Sequence, residues 1–227
     1  MTMNFTLRRE DRVITSHAAS LWTARPAPVQ PMRQTQSTVR YKQDAGIFAE
    51  GDKAACFYKV VSGVVRCCKF QNDGRRHIDA FYMRDDVFGF ELGVEHELSA
   101  EAVTDCTVIA YPRGAMEAKA GQDGAAAFEL YNLAMHSLAR ARAHSQLLGR
   151  ASATQKLATF LLEVSANKPA ETIELVMTRQ DIADYLGLTI ETVSRTLSLM
   201  EREGVIKLAA ARRMIVADRR LLQSLCD

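Results

Sequence analysis

"TRQDIADYLGLTIETVSRTLSLMEREG", residues 178–204, divides at a glycine into two short stretches with helical periodicity. In the first, about Arg179 to Leu186, the apolar residues Ile182, Ala183 and Leu186 fall on one face. Gly187 follows, and glycine accepts the left-handed backbone conformation that a sharp interhelical turn requires. In the second, at about 100° per residue, Ile190, Val193, Leu197 and Met200 form an apolar face, and Glu191, Ser194, Arg195, Ser198 and Arg202 fall on the other. Thr189 stands where its hydroxyl can cap the second helix, and Gly204 where the helix can stop. Two short helices across a tight glycine turn describe a helix-turn-helix, whose second helix offers its N-terminal residues to the DNA major groove.

The polar edge carries matching chemistry. Arginine can bond guanine O6 and N7 together, a carboxylate can accept from the cytosine amine, and serine can reach a base edge. Glu191 and Arg195 are four apart, so an ion pair between them is expected to hold both in place. Such a pair alone is usually just a solvated salt bridge; the rest of the motif gives it weight. Thr178, Arg179 and Gln180 open the first helix, where backbone N–H groups and side chains can meet phosphate. Lys207, Arg212 and Arg213 lie in "VIKLAAARRMIVADRR", residues 205–220, two apolar β runs around a basic turn.

The rest of the 227-residue chain, 48% hydrophobic, can supply a real core. Its 29 basic and 27 acidic residues announce no polyanion partner, so distribution must decide. Residues 1–40 carry six basic and two acidic side chains, 41–149 twelve and fifteen, and 150–227 eleven and ten. No run approaches the roughly 18 apolar residues of a membrane span, and "MTMNFTLRREDRV" lacks the apolar centre of a secretory signal. A cytoplasmic location without membrane contact is expected, and with it free thiols at Cys56, Cys67, Cys68, Cys106 and Cys226.

"TARPAPVQPMRQTQS", residues 23–37, holds three of the five prolines and no apolar period, so a flexible arm is expected over residues 1–40. Short β-rich runs such as "FYKVVSGVVRCCKF" and "AVTDCTVIAY", broken by glycine turns, predict an all-β module from about Tyr41 onward. The pattern changes after Pro112. Over residues 122–150, Leu130, Ala134, Leu138, Ala141, Ser145 and Leu148 recur at spacings of three and four and keep one stripe on a long helix. Spacing alone leaves open whether that stripe docks on its own β module or on a second subunit. A helical "ATQKLATFLLEVSA" and a linker "NKPAET" then lead to the motif.

Residues 178–204 resemble the DNA-binding helices of the Crp/Fnr transcription regulators, and "ETVSR" resembles the Glu-x-x-Ser-Arg signature of the Fnr and FixK branch. "IFAEGDKAACFYKVVSGVVRC", residues 47–67, resembles the start of that family's cyclic-nucleotide-type β-roll. The resemblance implies an α+β architecture: a sensor-like β-roll over 41–121, a dimerisation helix over 122–150 carrying the stripe just named, and a winged helix-turn-helix over 151–227. It implies a homodimer on a palindrome close to TTGAT-N4-ATCAA, helping RNA polymerase. Ile190, Glu191, Ser194 and Arg195 would read bases, Thr189 and Thr192 would touch phosphate, and the basic hairpin would be the wing.

For a signal, the residues offer little. The family's nucleotide binders place an arginine before a small hydroxyl residue, and here Leu98 precedes Ser99 in "HELSAEAV". Gly89, Glu91 and Gly93 of "FGFELG" resemble the ribose-binding turn, but a phosphate beside leucine would be desolvated without an anchor. An iron–sulfur sensor needs four thiolates; the family's sensors of that kind draw three from a cysteine cluster in the N-terminal arm, and here no cysteine precedes Cys56. Cys67 and Cys68, adjacent in a strand, point to opposite faces. No cofactor and no metal are therefore expected, and the FixK branch, usually held to act without a small-molecule effector, fits best. The alternative is a thiol- or metal-dependent redox sensor with conditional DNA binding. The five scattered histidines and the absence of HExxH, CxxC or P-loop patterns argue against an enzyme.

Overall fold

The computed structural model describes residues 37–165, 172–210 and 212–226. Most of the expected N-terminal arm lies outside them. Its last residues are strand, so the β module begins at Ser37 rather than near Tyr41. The strands are β1 (Ser37–Tyr41), β2 (Gly46–Phe48), β3 (Cys56–Ser62), β4 (Val65–Phe70), β5 (Arg76–Tyr82), β6 (Val87–Phe88), β7 (Ser99–Ala102) and β8 (Cys106–Pro112). They form two antiparallel sheets, ordered β1-β8-β3-β6 and β2-β7-β4-β5, which close as a roll. Val60, Val65, Cys67, Phe88, Ala100, Ala102, Cys106 and Val108 fill it. Gly63 turns β3 into β4 at φ +83°, and a Cβ there would lie 2.4 Å from the Asp105 carbonyl oxygen, so both conformation and space demand glycine.

Helices follow: α1 (Arg113–Ala120), α2 (Gly124–Leu148) and α3 (Ala153–Ser165). Asp123 caps α2 by accepting from the Ala125 N–H at 2.9 Å. The C-terminal head comprises α3, β9 (Thr172–Glu174), α4 (Arg179–Leu186), α5 (Ile190–Arg202), β10 (Ile206–Ala210), β11 (Arg213–Val216) and α6 (Arg219–Ser224). Its sheet runs β10-β11-β9. The stretch read as a linker thus ends in a strand, because Ile173 is buried opposite Met214 of β11.

One apolar cluster joins head to roll: Val64, Cys68, Ile78 and Phe81 pack with Phe160, Tyr185, Leu186 and the rest of the head core. Side chains alternate along a strand, so Val65 and Cys67 point into the roll while Val64 and Cys68 meet the head. The sheet containing β4 is therefore covered on both faces, and the two adjacent cysteines do point apart as expected.

The long helix divides its faces differently from the expected stripe. Ala126, Leu133, His144 and Leu147 are buried within the chain. Leu130, at one end of the expected dimer stripe, packs on the chain's own Phe57, Tyr111 and Met116. Leu148, at the other end, lies against Gly187 of the head. Ala134, Leu138, Ala141 and Ser145 face outward, joined by Phe128, Tyr131 and Met135. Alanine and leucine occupy both sides of this helix, so spacing could not tell which side docks internally.

Candidate nucleic-acid interface

Local chemistry fixes the two motif helices. Thr178 caps α4 in a reciprocal box: its hydroxyl accepts from the Asp181 N–H at 3.0 Å, and the Asp181 carboxylate accepts from the Thr178 N–H at 3.0 Å. Gly187 ends α4 in the left-handed conformation at φ 62°, and Leu188 N–H donates back to the Ala183 carbonyl at 2.9 Å. Thr189 caps α5, its hydroxyl accepting from the Thr192 N–H at 3.2 Å. Ile182, Ala183 and Leu186 of α4, with Val193, Leu197 and Met200 of α5, are buried in the head.

This burial leaves one edge of α5 open. Glu191, Arg195, Ser198 and Arg202 are exposed, and Ser194 and Thr192 are half-buried beside them. Ile190, expected on the apolar face, is 38% exposed at the helix start, since the first turn projects beyond the head core. Thr178, Gln180 and Thr189 are exposed and Arg179 half-buried along the same rim. The expected ion pair between Glu191 and Arg195 is absent among the described residues: Arg195 Nε donates to the Glu191 main-chain carbonyl at 3.4 Å. The Glu191 carboxyl instead turns to the helix start. Hydrogen bonds from its own main-chain N–H and the Thr189 side chain hold it below its ordinary pKa, so it is ionised at neutral pH.

Lys207, Arg212 and Arg213 are exposed on the β10–β11 hairpin. The hairpin is tied to the reading helix by Glu201, whose carboxylate accepts from the Leu208 N–H at 2.8 Å. Sequence reasoning missed Glu201 because it looks like one more surface charge.

A cavity of about 270 Å³ lies between the roll and α2. Asp79, Asp86, Glu91 and Glu97 line it, with Leu98, His136 and Arg140. Arg140 is already engaged: it donates to the Phe81 carbonyl at 2.5 Å, lies 3.5 Å from Asp86 and covers the Tyr82 ring at 4.3 Å. Four carboxylates thus surround a guanidinium that is already committed within the chain. The thiols are equally quiet. Burial raises the pKa of Cys56, Cys67 and Cys106 and pushes Cys68 up to about 11, the reverse of what activates a sulfur. Cys56 is half-buried, and Cys67, Cys68 and Cys106 are buried. No group of three metal-ligating side chains occurs among the described residues, nor a helix long and apolar enough to cross a membrane.

A capped two-helix reader with a basic β hairpin, mounted on a closed roll, defines a winged helix-turn-helix DNA-binding regulator rather than an enzyme. Residues 155–225 match the Crp-like helix-turn-helix domain, and residues 38–123 the cyclic nucleotide-binding domain. The chain is 42% identical over 209 residues to the nitrogen fixation regulation protein FixK of Azorhizobium caulinodans, covering 89% of this chain and 84% of that one. It is 36% identical over 198 residues to FixK of Rhizobium meliloti, covering 87% and 90%. The solved structure of FixK2 from Bradyrhizobium japonicum superposes with a TM-score of 0.81 at 40% identity, covering 85% of this chain and 98% of that chain. The chain belongs to the Crp/Fnr family of transcription regulators and is a FixK-like DNA-binding protein.

Proposed function

We propose that the protein acts in the cytoplasm as a homodimeric, sequence-specific regulator that binds a TTGA-N6-TCAA-like palindrome and assists RNA polymerase, with neither cyclic nucleotide nor iron–sulfur cluster as effector. The observation that carries this reading is the open edge of α5: Val193, Leu197 and Met200 are buried in the head, while Glu191 and Arg195 are exposed at its first turns. Glu191, Ser194 and Arg195 read base edges, with Ile190 beside them. Thr178, Arg179, Gln180, Thr189, Thr192, Lys207, Arg212 and Arg213 meet the phosphates. The second protomer covers the outward stripe of α2, Ala134, Leu138, Ala141 and Ser145, extended by Phe128, Tyr131 and Met135. A two-fold dimer then sets two reading helices about 34 Å apart, one turn of DNA.

The test is selection of bound sites from random DNA by purified protein with no ligand added, followed by gel shifts under reducing and oxidising conditions. An inverted repeat bound equally tightly in both redox states is the expected result. Binding that appears only with an added nucleotide, metal or oxidant would overturn the effector-free reading.

A further inference from the structure

We propose that Arg66 of β4 and Arg76 of β5 are positioning residues for DNA recognition, pinning the reading head to the roll in a posture that is ready for DNA without ligand. The inference rests on the proposed palindrome binding and adds the device that makes it independent of an effector. Arg66 and Arg76 share the sheet face that meets the head, Arg66 between Val64 and Cys68, Arg76 two residues before Ile78. Asp181 of α4, its side chain 2% exposed, receives both: Arg66 Nη1 at 3.2 Å and Arg76 Nη2 at 2.5 Å on the same Oδ1. Arg76 Nε also donates to Asp184 Oδ2 at 2.8 Å, so one guanidinium grips two successive turns of α4. Arg66 is braced from behind by Glu101 at 2.7 Å.

The grip reaches the DNA-facing surface through short paths. Asp181 Oδ2 is the acceptor of the Thr178 cap, and Asp184 Oδ1 accepts from Gln180 Nε2 at 2.6 Å. The posture leaves the charged DNA-facing residues of α5 and the hairpin open. With the head so held, Glu191, Arg195, Lys207, Arg212 and Arg213 are all exposed, as is the outward stripe of α2. An open cleft of about 830 Å³ separates the β4–β5 hairpin, at Phe70 and Arg75, from Thr189 to Thr192 at the start of the reading helix. A restraining contact would instead cover one of these surfaces. A head held in register with the dimer helix needs no effector to set the distance between two half-sites, because the ordering cost is met on folding.

The experiment compares the full-length protein with Arg76→Ala and Asp184→Asn. Binding is measured on palindromes whose spacer is native, or one base pair shorter or longer. The wild type should bind the native spacer and fall steeply on the other two. Arg76→Ala and Asp184→Asn should bind the native palindrome at least tenfold more weakly, with a flattened spacer dependence and an undiminished preference for the correct half-site base. A variant that binds tighter than wild type would make the contact a restraint and overturn the proposal. So would weakened binding with the spacer dependence still steep, which would leave these arginines a role in stability alone. Should Arg76→Ala fail to fold, Asp184→Asn decides by the same two readouts. A wild type that selects no inverted repeat would sink the functional reading itself, a failure separate from any variant-to-wild-type ratio.

Discussion

Arg195→Ala separates base reading from simple charge attraction, and its size can be worked out in advance. The Arg195 side chain is exposed, and its single described hydrogen bond, to the Glu191 carbonyl at 3.4 Å, is long. Losing it should change folding stability by no more than about 0.5 kcal/mol. A guanidinium bonded to guanine O6 and N7 contributes about 1 to 3 kcal/mol of discrimination per half-site. Both half-sites are read by the same residue in a two-fold dimer, and well-separated contributions add, giving about 2 to 6 kcal/mol for the palindrome. At 1.4 kcal/mol per tenfold change, that is a loss of roughly 30-fold or more. Fluorescence anisotropy on three duplexes measures it: the palindrome, the palindrome with its half-site guanines replaced, and an unrelated sequence. The variant should bind the first two nearly alike, with its affinity for the third reduced only by the one charge lost from each protomer. Equal weakening on all three, or a fall in Tm matching the loss of binding, would refute the role assigned to Arg195.

Three further outcomes are expected. Leu138→Glu puts a charge on the outward stripe of α2, where Leu138 is 41% exposed in the protomer; sedimentation should shift to monomer and palindrome binding disappear together, and a DNA-competent dimer would refute the interface. Gly63→Ala forces a side chain into a positive-φ turn already filled by Asp105 and Cys106, so stability should drop by at least about 1 to 3 kcal/mol; an unchanged denaturation midpoint contradicts that. His144 is buried, its ring stacked on Tyr185 at 4.2 Å and its Nε2 2.8 Å from the Tyr185 carbonyl, with His77 and Asp79 nearby. Burial lowers its pKa below the ordinary 6.5. The unfolded chain then binds the extra proton first, so this group's contribution is complete above about pH 6.5 and is lost as the pH falls below it. The wild-type Tm should therefore decline more steeply than that of His144→Gln as the pH is lowered from 7 to 5; parallel curves would refute the assignment.

The motif was legible because everything that shapes it is local. Caps at Thr178 and Thr189, the left-handed Gly187 and the buried stripe of α5 all act within a few residues. The roll was legible as short strands with turn glycines, although β1 started earlier than its polar sequence "STVRY" advertised, since β8 supplies the pairing. What the sequence hid depends on distant partners. Nothing local links Arg66 and Arg76 to Asp181 and Asp184, more than 100 positions away. The Glu191–Arg195 pair was the opposite error, a spacing rule overruled by the stronger pull of the helix start on a carboxylate. On α2, Leu130 and Leu148 fitted a dimer stripe by period, yet the roll and the head claimed them first.

The doubly covered sheet supplies the protein with a pair of built-in reporters. Cys67 and Cys68 are chemical neighbours, but one is sealed by the interior of the roll and the other by the seam beneath the head. A slow alkylating reagent should therefore mark Cys68 whenever the head swings away, and Cys67 only when the roll itself opens. The ratio of the two labels, read by mass spectrometry on a single peptide, distinguishes a loosened hinge from a melting protein.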